Sequence, residues 1–383
     1  MEPTSRKKIA LVFNFRSIWT GGIIYLVNIS RILKFLKPED QPELLIFYPL
    51  HLQKYVDEID YIFSKKIVWD FPSEHMGFLK SIVTNRNLFI DKVVKEYQPD
   101  VIFPLLHYPI KSNINPAEVG WCADLQYKYY PNFFTKIKRV ELDLRLKFTL
   151  NNAKHVIVSS HTVKEDFYKF FEVPKQINFH VYHFVSIIEG LPEIKIEDLL
   201  AKYSLPSHFF MISNQFHRHK NHKVVFKALA ELKKQGKKIH IVITGSFPKD
   251  PNSLYLKELH ALLNENKLHD VISFLGLIPR GDQLLLMKYA QAVIQPSLFE
   301  GWSTVIEDAR SLQVPVIAAD LKVNVEQLLE KGIYFSPHDV NGLAKILEGF
   351  PFRDYSVSLY EPYESRMQEA AYSLLSIFES SVK

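Results

Sequence analysis

The sequence predicts an α/β protein with two parallel-sheet halves, a linker between them and a helical tail. Three observations carry that reading. Short apolar runs alternate with segments of helical periodicity in both halves, the pattern of parallel strands wrapped by helices. Residues 190–202 are charged, contain Pro192 and lose the strand pattern, as a linker does. The length of 383 residues accommodates two or three domains at about 150 residues each.

The first half opens with a strand from Ile9, a loop carrying Trp19, Thr20, Gly21 and Gly22, and a helix with Tyr25, Ile29, Ile32, Leu33 and Leu36 at helical spacing. The double glycine suits a nucleotide loop or a plain tight turn, because the full G-x-G-x-x-G fingerprint is lacking. A strand over residues 44–48 follows, then helical segments near 51–63 and 77–97. A further strand over 100–105 leads into a turn with His107 and Tyr108. Near Trp121 a short strand ends in a polar cluster, where Asp124 and Gln126 address a sugar or Asp124 closes an Asx turn. A long helix over 136–152, a strand over 155–158 and a helix with the capping box Thr162-x-x-Glu165 complete this half. His155 reads as a strand-edge residue, and His161, at the mouth of that last helix, is a candidate for an inter-domain cleft.

The second half repeats the alternation. Strands are expected over 209–212, 239–244 and 271–274, with helices over 223–235, 254–266 and 282–290 and turns at Gly245-Ser246 and Gly276-Leu277-Ile278-Pro279. Residues 295–320 then read as strand, loop, short helix, strand: one βαβ unit. Thr304 and Glu307 stand three apart as a capping box, behind a loop of Glu300, Gly301 and Trp302. A helix start behind a glycine loop at a strand end is an anion site. Glu300 and Asp308 beside it suit sugar hydroxyls better than phosphate. After Phe335 come a helix over 340–348, a break at Pro351 and a final helix from about residue 361 to 380.

The loop Ser213-Asn214-Gln215-Phe216-His217-Arg218-His219-Lys220-Asn221-His222 follows the strand at 209–212, so it faces the same sheet edge as Glu300. Arg218 and Lys220 offer the planar fork and the point charge that bind a diphosphate. Cations, helix-start amides and hydroxyl acceptors on one edge are what a nucleotide diphosphate-sugar requires. The H-x-H-x-x-H run at 217, 219 and 222 lacks carboxylate or cysteine companions, so no metal site is expected.

Composition narrows the classes. Apolar residues at 47% and charged residues at 23% describe an ordinary globular chain. Net charge is +5, too small an excess for a nucleic-acid binder, and no G-x-x-x-x-G-K phosphate loop occurs. The single cysteine, Cys122, cannot form an internal disulfide. No apolar run reaches the roughly 20 residues of a membrane span, and the N-terminus is too short in apolar residues for a secretory signal. The expected location is the cytoplasm, at the inner face of the membrane. The reason for that face is the segment 128–154, with seven Lys/Arg against two acids and aromatics at its front edge. It suits an anionic membrane or a polyanionic acceptor, or is a solvated helix face.

With these residues assembled, the chain resembles the GT-B retaining glycosyltransferases of family four. The match runs through Gly21-Gly22, residues 121–126, Ser160, the N-Q-F-H-R-H-K-N run and above all P-S-L-F-E-G-W-S-T-V-I-E-D-A, whose Glu300 and position 308 align with the family's E-x7-E signature. The resemblance implies two Rossmann-like domains with parallel sheets facing a central cleft, over 1–190 (acceptor) and 205–350 (nucleotide-sugar). It also implies a C-terminal helix over 355–383 crossing back to the first domain. It implies catalytic roles for Glu300, Lys220, Arg218 and Asp124, and donor contacts from Gly22, Asn214, Gln215, Gly245, Leu277, Ile278, Gly301, Trp302, Ser303, Thr304, Glu307 and Asp308. Three departures stand out: Asp308 replaces a Glu, Gln215 stands where the family often has a basic ligand, and Cys122-Ala123-Asp124 replaces a histidine-bearing strand end. The implied activity is retaining, metal-independent transfer of a hexose, mannose or a deoxyhexose such as rhamnose, from a GDP- or dTDP-linked donor. The acceptor would be a glycan or lipid-linked oligosaccharide of a surface polysaccharide, and no cofactor is expected. The rival readings are a GT-B epimerase or phosphorylase-like enzyme and a non-catalytic sugar-nucleotide or glycan-binding partner.

Overall fold

The computed structural model describes residues 6–15, 20–71, 74–84, 86–105, 116–247 and 253–382. Trp19, His107 and Tyr108 lie outside the described residues. The chain divides into two compact units, residues 1–187 with 363–383, and residues 188–362.

In the first unit the described residues form a seven-stranded sheet of β1 (Lys8–Val12), β2 (Glu43–Tyr48), β3 (Ser64–Val68), β4 (Val101–Leu105), β5 (Ala117–Cys122), β6 (His155–Val158) and β7 (Asn178–Val181). Its order is β3-β2-β1-β4-β5-β6-β7 and every pair is parallel. Parallel neighbours need crossover connections, and the helices that supply them cover the sheet. The final helix, Tyr363–Val382, belongs to this unit. It buries Met367, Ala371, Leu374 and Phe378, sets Phe378 5.6 Å from Phe103 centroid to centroid, and donates from the Tyr372 hydroxyl to Asp40 at 2.9 Å.

The second unit holds β8 (Phe210–Ser213), β9 (Ile241–Thr244), β10 (Ile272–Gly276), β11 (Val293–Gln295), β12 (Val316–Ala319) and β13 (Ile333–Phe335), in the order β10-β9-β8-β11-β12-β13 and all parallel. Alternate residues of each strand feed opposite cores. Ile212, Ile241, Ile243, Ile294 and Ile317 pack under the helix His222–Lys234, whereas Met211, Val242, Val293 and Val316 pack against the helices Arg280–Tyr289 and Thr304–Ser311. Both faces are therefore apolar, as a doubly covered sheet requires. The chain leaves β8 toward one edge of the sheet and β11 toward the other, so the order reverses between them. In such sheets the crevice outside the strands' carboxyl ends at the reversal is where ligands bind.

Several local expectations are corrected. Gly21 and Gly22 lie in the first turn of the helix Thr20–Ile32 and not in a loop before it. The span 77–97 is two helices, Glu74–Thr84 and Leu88–Tyr97, because the Asn87 side chain accepts from the Ile90 amide and starts the second one afresh. The linker span 190–202 contains a helix, Ile196–Tyr203. Ile196, Leu199, Leu200 and Tyr203 form an apolar stripe that its charged composition hides, and Leu199 is fully buried. Neither proposed capping box is the actual cap. Ser160 caps the helix His161–Phe170 and Ser303 caps Thr304–Ser311, each accepting from the amide three residues on. Ser160 stands two residues before Thr162 and Ser303 directly before Thr304, which puts each Thr inside its helix.

Candidate active site

Four loops leave the carboxyl ends of β8, β9, β10 and β11, and they carry most of the expected donor residues. The loop after β8 is held from below by its own side chains. Asn214, buried, donates to the Gln295 side chain at 2.9 Å. Asn221, in the left-handed region at φ 54°, donates to the carbonyls of Pro296 at 3.0 Å and Pro337 at 2.8 Å. The Leu298 amide donates to the His219 carbonyl at 2.7 Å. These bonds fasten the β8 loop to the β11 loop across the reversal point, with Lys220 and Glu300 between them.

The Lys220 ammonium lies 2.6 Å from a Glu300 carboxylate oxygen. Gln295 donates to that same oxygen at 2.7 Å and to the Ser297 hydroxyl at 3.2 Å. The carboxylate is buried, with 9% of its side chain exposed, and the lysine is 19% exposed. Burial pushes the Glu300 carboxyl up, but the Lys220 charge and hydrogen bond and the Ser297 hydroxyl outweigh it, so its pKa lies below the ordinary carboxylate value. The same lysine acts on the neighbouring imidazoles. Burial first, and the Lys220 charge second, push His219 down to about 4 and the fully buried His222 down to about 3. His222 stacks on Phe216 at 4.3 Å. His217 shares a hydrogen bond of 2.9 Å with Gln215. The H-x-H-x-x-H run is therefore divided between the core and the loop surface.

Arg218 is paired with an acid of a neighbouring helix. Its guanidinium pairs with Glu258 at 3.1 Å on the helix Leu254–Glu265, and Lys223 shares that acid at 3.1 Å. The pair is open to solvent, a setting in which ion pairs contribute little and exchange readily.

Gly245, at the end of β9, approaches the β8 loop closely. A Cβ there would lie 2.3 Å from the Asn214 carbonyl oxygen, and its φ of 133° belongs to glycine. Its amide donates to the Gly276 carbonyl at 2.8 Å, joining the β9 and β10 ends. Beyond Gly276 the Leu277 side chain is 78% exposed, an apolar surface at the strand end, while Ile278 packs partly into the core.

The motif helix follows β11. Gly301 and Ser303 are buried, Trp302 is half-buried and Thr304 is exposed at the helix start. Asp308 is buried and lies 2.6 Å from Arg280, which also donates to Gln283 at 3.1 Å. Glu307 is fully buried on the other side of the helix, where it accepts from Arg310 at 2.9 Å and Gln327 at 2.7 Å. Gln327 also accepts from the Ser303 amide at 3.2 Å and donates to the Ser303 carbonyl at 2.9 Å. Glu307 therefore serves the support of the loop, by these contacts and not by a capping box.

In the first unit, Gly22 is buried in the helix that follows β1. Asp124 is exposed, and one carboxylate oxygen accepts from the Gln126 amide at 2.9 Å, which is the Asx turn foreseen as one of its two roles.

Sequence reasoning did not find Arg280, Gln295, Asn221 or Gln327. Gln295 carried a signal: it is the one polar residue of an otherwise apolar strand, and a buried amide must be hydrogen-bonded. Arg280 begins a helix behind Pro279, where an arginine has no local motif to mark it.

Residues 201–350 match the family described as glycosyl transferases group 1. The match lies within the second unit. It is 22% identical over 243 residues to the O-antigen chain mannosyltransferase RfbU of Salmonella typhimurium, covering 63% of each chain. It is 25% identical over 269 residues to the alpha-1,3/1,6-mannosyltransferase ALG2 of Saccharomyces cerevisiae, covering 61% of this chain and 52% of that one. The chain thus spans between about half and just under two thirds of these relatives' length. Among solved structures, a glycosyltransferase of Rickettsia africae superposes with a TM-score of 0.66 at 16% identity, over 99% of this chain and 100% of that one. Anabaena HepE, in complex with UDP and glucose, gives 0.65 at 18% identity over 98% of each. At these identities the likeness establishes the fold, GT-B, with two Rossmann-like parallel-sheet units.

Proposed function

We propose that the protein is a retaining glycosyltransferase that moves a hexose, mannose or a deoxyhexose such as rhamnose, from a nucleotide diphosphate-sugar to a glycan or lipid-linked oligosaccharide acceptor. The observation that carries the reading is the Lys220–Glu300 pair, 2.6 Å apart at the point where the second sheet reverses. A cation for the diphosphate and an ionised hydroxyl acceptor for the sugar are held there side by side. The family match over residues 201–350 supports transferase chemistry, and the mannosyltransferase names of the relatives favour mannose. UDP and UDP-glucose are bound by a structural neighbour, and for this chain a GDP- or dTDP-linked donor is our reading.

Lys220 lies close enough to Glu300 to exchange it for a β-phosphate oxygen, and Arg218 can leave the open pair with Glu258 to join it. As the bond from the anomeric carbon to the diphosphate breaks, the electron pair passes to the phosphate oxygen, where Lys220, Arg218 and the amides at the start of the helix Thr304–Ser311 stabilise it. The acceptor hydroxyl attacks from the same face and its proton goes to the departing phosphate oxygen. Glu300 accepts from a donor-sugar hydroxyl, Asp308 from the ribose, and Leu277 and Ile278 frame the base. Asp124 is the candidate contact from the first unit.

A thermal-shift screen of GDP, UDP, dTDP and ADP, followed by transfer assays with the sugar nucleotide of the base that binds, tests the reading. A specific ligand raises the melting temperature by mass action. No stabilisation by any of the four removes the donor site. Binding without turnover on any acceptor favours the non-catalytic reading, and isomerised sugar or free sugar phosphate from donor alone favours the epimerase or phosphorylase-like one.

A further inference from the structure

The helix Lys136–Asn152 turns an apolar stripe to solvent. Ile137 is 82% exposed, Val140 59% and Leu144 46%. Their spacing of three and four residues places them on one face. Phe133, 42% exposed, precedes them by one turn's length of chain. The opposite face holds the helix to its sheet through the buried Arg145, Thr149 and Leu150. A helix face that is merely solvated carries polar residues outward, so three exposed branched aliphatics in register need another account.

The charges around the stripe supply it. Both acids of the segment are occupied internally, Glu141 by Lys138 at 3.1 Å and Arg145 at 3.0 Å, and Asp143 by Lys128 at 2.7 Å. Lys136, next to Ile137, and Lys147, one turn beyond Leu144, are exposed and have no ion pair among the described residues. The apolar ridge is thus bordered by unneutralised cations. No helix of the described residues is long and apolar enough to cross a membrane.

We propose that this stripe is a docking surface for an anionic lipid bilayer, with Ile137, Val140 and Leu144 entering the boundary between headgroups and acyl chains while Lys136 and Lys147 reach the lipid phosphates. Charge selects the occupant: a second copy would bring the same cationic rim to the face and be repelled, whereas an anionic surface complements rim and ridge together. The inference extends the proposed function by giving a lipid-linked acceptor a surface to be met on, but the docking does not depend on turnover.

The test is co-sedimentation of the full chain with vesicles of phosphatidylcholine alone and of phosphatidylcholine mixed with phosphatidylglycerol. Binding is expected to rise with phosphatidylglycerol and fall with salt. The double variant Ile137→Asp with Val140→Asp, and separately Lys136→Glu with Lys147→Glu, should each weaken it about tenfold or more. Retention independent of anionic lipid, or undiminished in both variants, overturns the proposal. So does a wild-type dimer that the aspartate variant dissolves, since the stripe would then be a contact between copies. Circular dichroism establishes that each variant is folded, and its nucleotide-dependent melting shift reports on the donor site. Loss of docking with that shift intact, or its reverse, tells failure of this inference from failure of the donor reading.

Discussion

Arg280 holds Asp308: the guanidinium stands 2.6 Å from the carboxylate and ties the segment after β10 to the second acid of the Glu300–Asp308 motif. Aspartate at position 308 is one methylene shorter than the glutamate of the family signature, and a partner that fixes its direction offsets the lost reach. The arginine is half-exposed but Asp308 is buried, so its removal strands a carboxylate and should cost about 1–3 kcal/mol of stability. Its effect on donor binding is separate. Arg280→Ala is expected to raise the dissociation constant of the preferred nucleoside diphosphate on the order of tenfold, the loss expected of a charge-assisted hydrogen bond. Titration calorimetry measures this. Tighter binding in the variant would mean that Arg280 competes with the ribose for Asp308.

Glu300→Gln keeps the shape of the side chain while removing the charge that faces Lys220. Transfer should fall by about a hundredfold or more, the size seen when one preorganised electrostatic contact is lost, with circular dichroism unchanged. Near-normal turnover would sink the assignment. The same substitution changes the response to acid. The folded pKa of Glu300 is depressed, so its contribution to stability is fully present above the ordinary carboxylate value of 4.5 and is lost as pH falls through the lower folded value. The stability gap between wild type and Glu300→Gln should therefore be constant near neutrality and close below about pH 4. Denaturant melts across that range measure it. Lys220→Ala is expected to weaken nucleoside diphosphate binding itself, and an unchanged isotherm counts against the lysine.

What could be read from the chain alone follows from where the physics is local. The central strands β8, β11 and β12 are apolar runs buried on both faces, and the helix Val340–Glu348 follows a visible cap residue, Asp339, so pattern and structure coincide. The strands β3, β7 and β13 lie at sheet edges, where one-sided pairing relaxes the demand for apolar residues. Ser64-Lys-Lys-Ile-Val68 therefore carries no strand signal. In the site, Glu300, Asp308 and Lys220 were legible because motif spacing and strand-end position are sequence properties. The partners that Arg218 and Asp308 take, Glu258 and Arg280, stand 40 and 28 residues away and become neighbours only once the sheet is built.

His222 adds a second acid-sensitive element. It is fully buried, stacked on Phe216, and faced by Lys220, His217 and His219, all of which with burial oppose its protonation. Its folded pKa of about 3 lies below the ordinary 6.5, so the unfolded chain binds a proton that the folded chain refuses. Stability from this residue is complete above about pH 6.5 and is lost as pH falls toward 3. His222→Phe retains an aromatic ring against Phe216 and removes the titration. The expected outcome is a melting temperature that drops less between pH 7 and 5 in the variant than in the wild type, read by circular dichroism. Parallel pH profiles would show that the ring is protonated in the folded protein.

Gly245 offers the sharpest structural test of the strand-end edge. Alanine there would place its Cβ 2.3 Å from the Asn214 carbonyl oxygen, a backbone atom that cannot swing aside, at a φ of 133° that L residues rarely adopt. The β8 loop must then move, and with it the Asn214 to Gln295 bond and the Gln295 support of Glu300. Strain of this kind costs about 1–3 kcal/mol, so Gly245→Ala should lower the melting temperature by several degrees while leaving the protein folded. Gly236, also at positive φ but with open space around its Cβ position, is the control: Gly236→Ala carries the strain without the clash. If Gly245→Ala loses nucleotide binding and Gly236→Ala keeps it, the effect belongs to the approach of β9 to the donor loop. Equal binding in both variants would mean that the loop absorbs the displacement without moving Glu300.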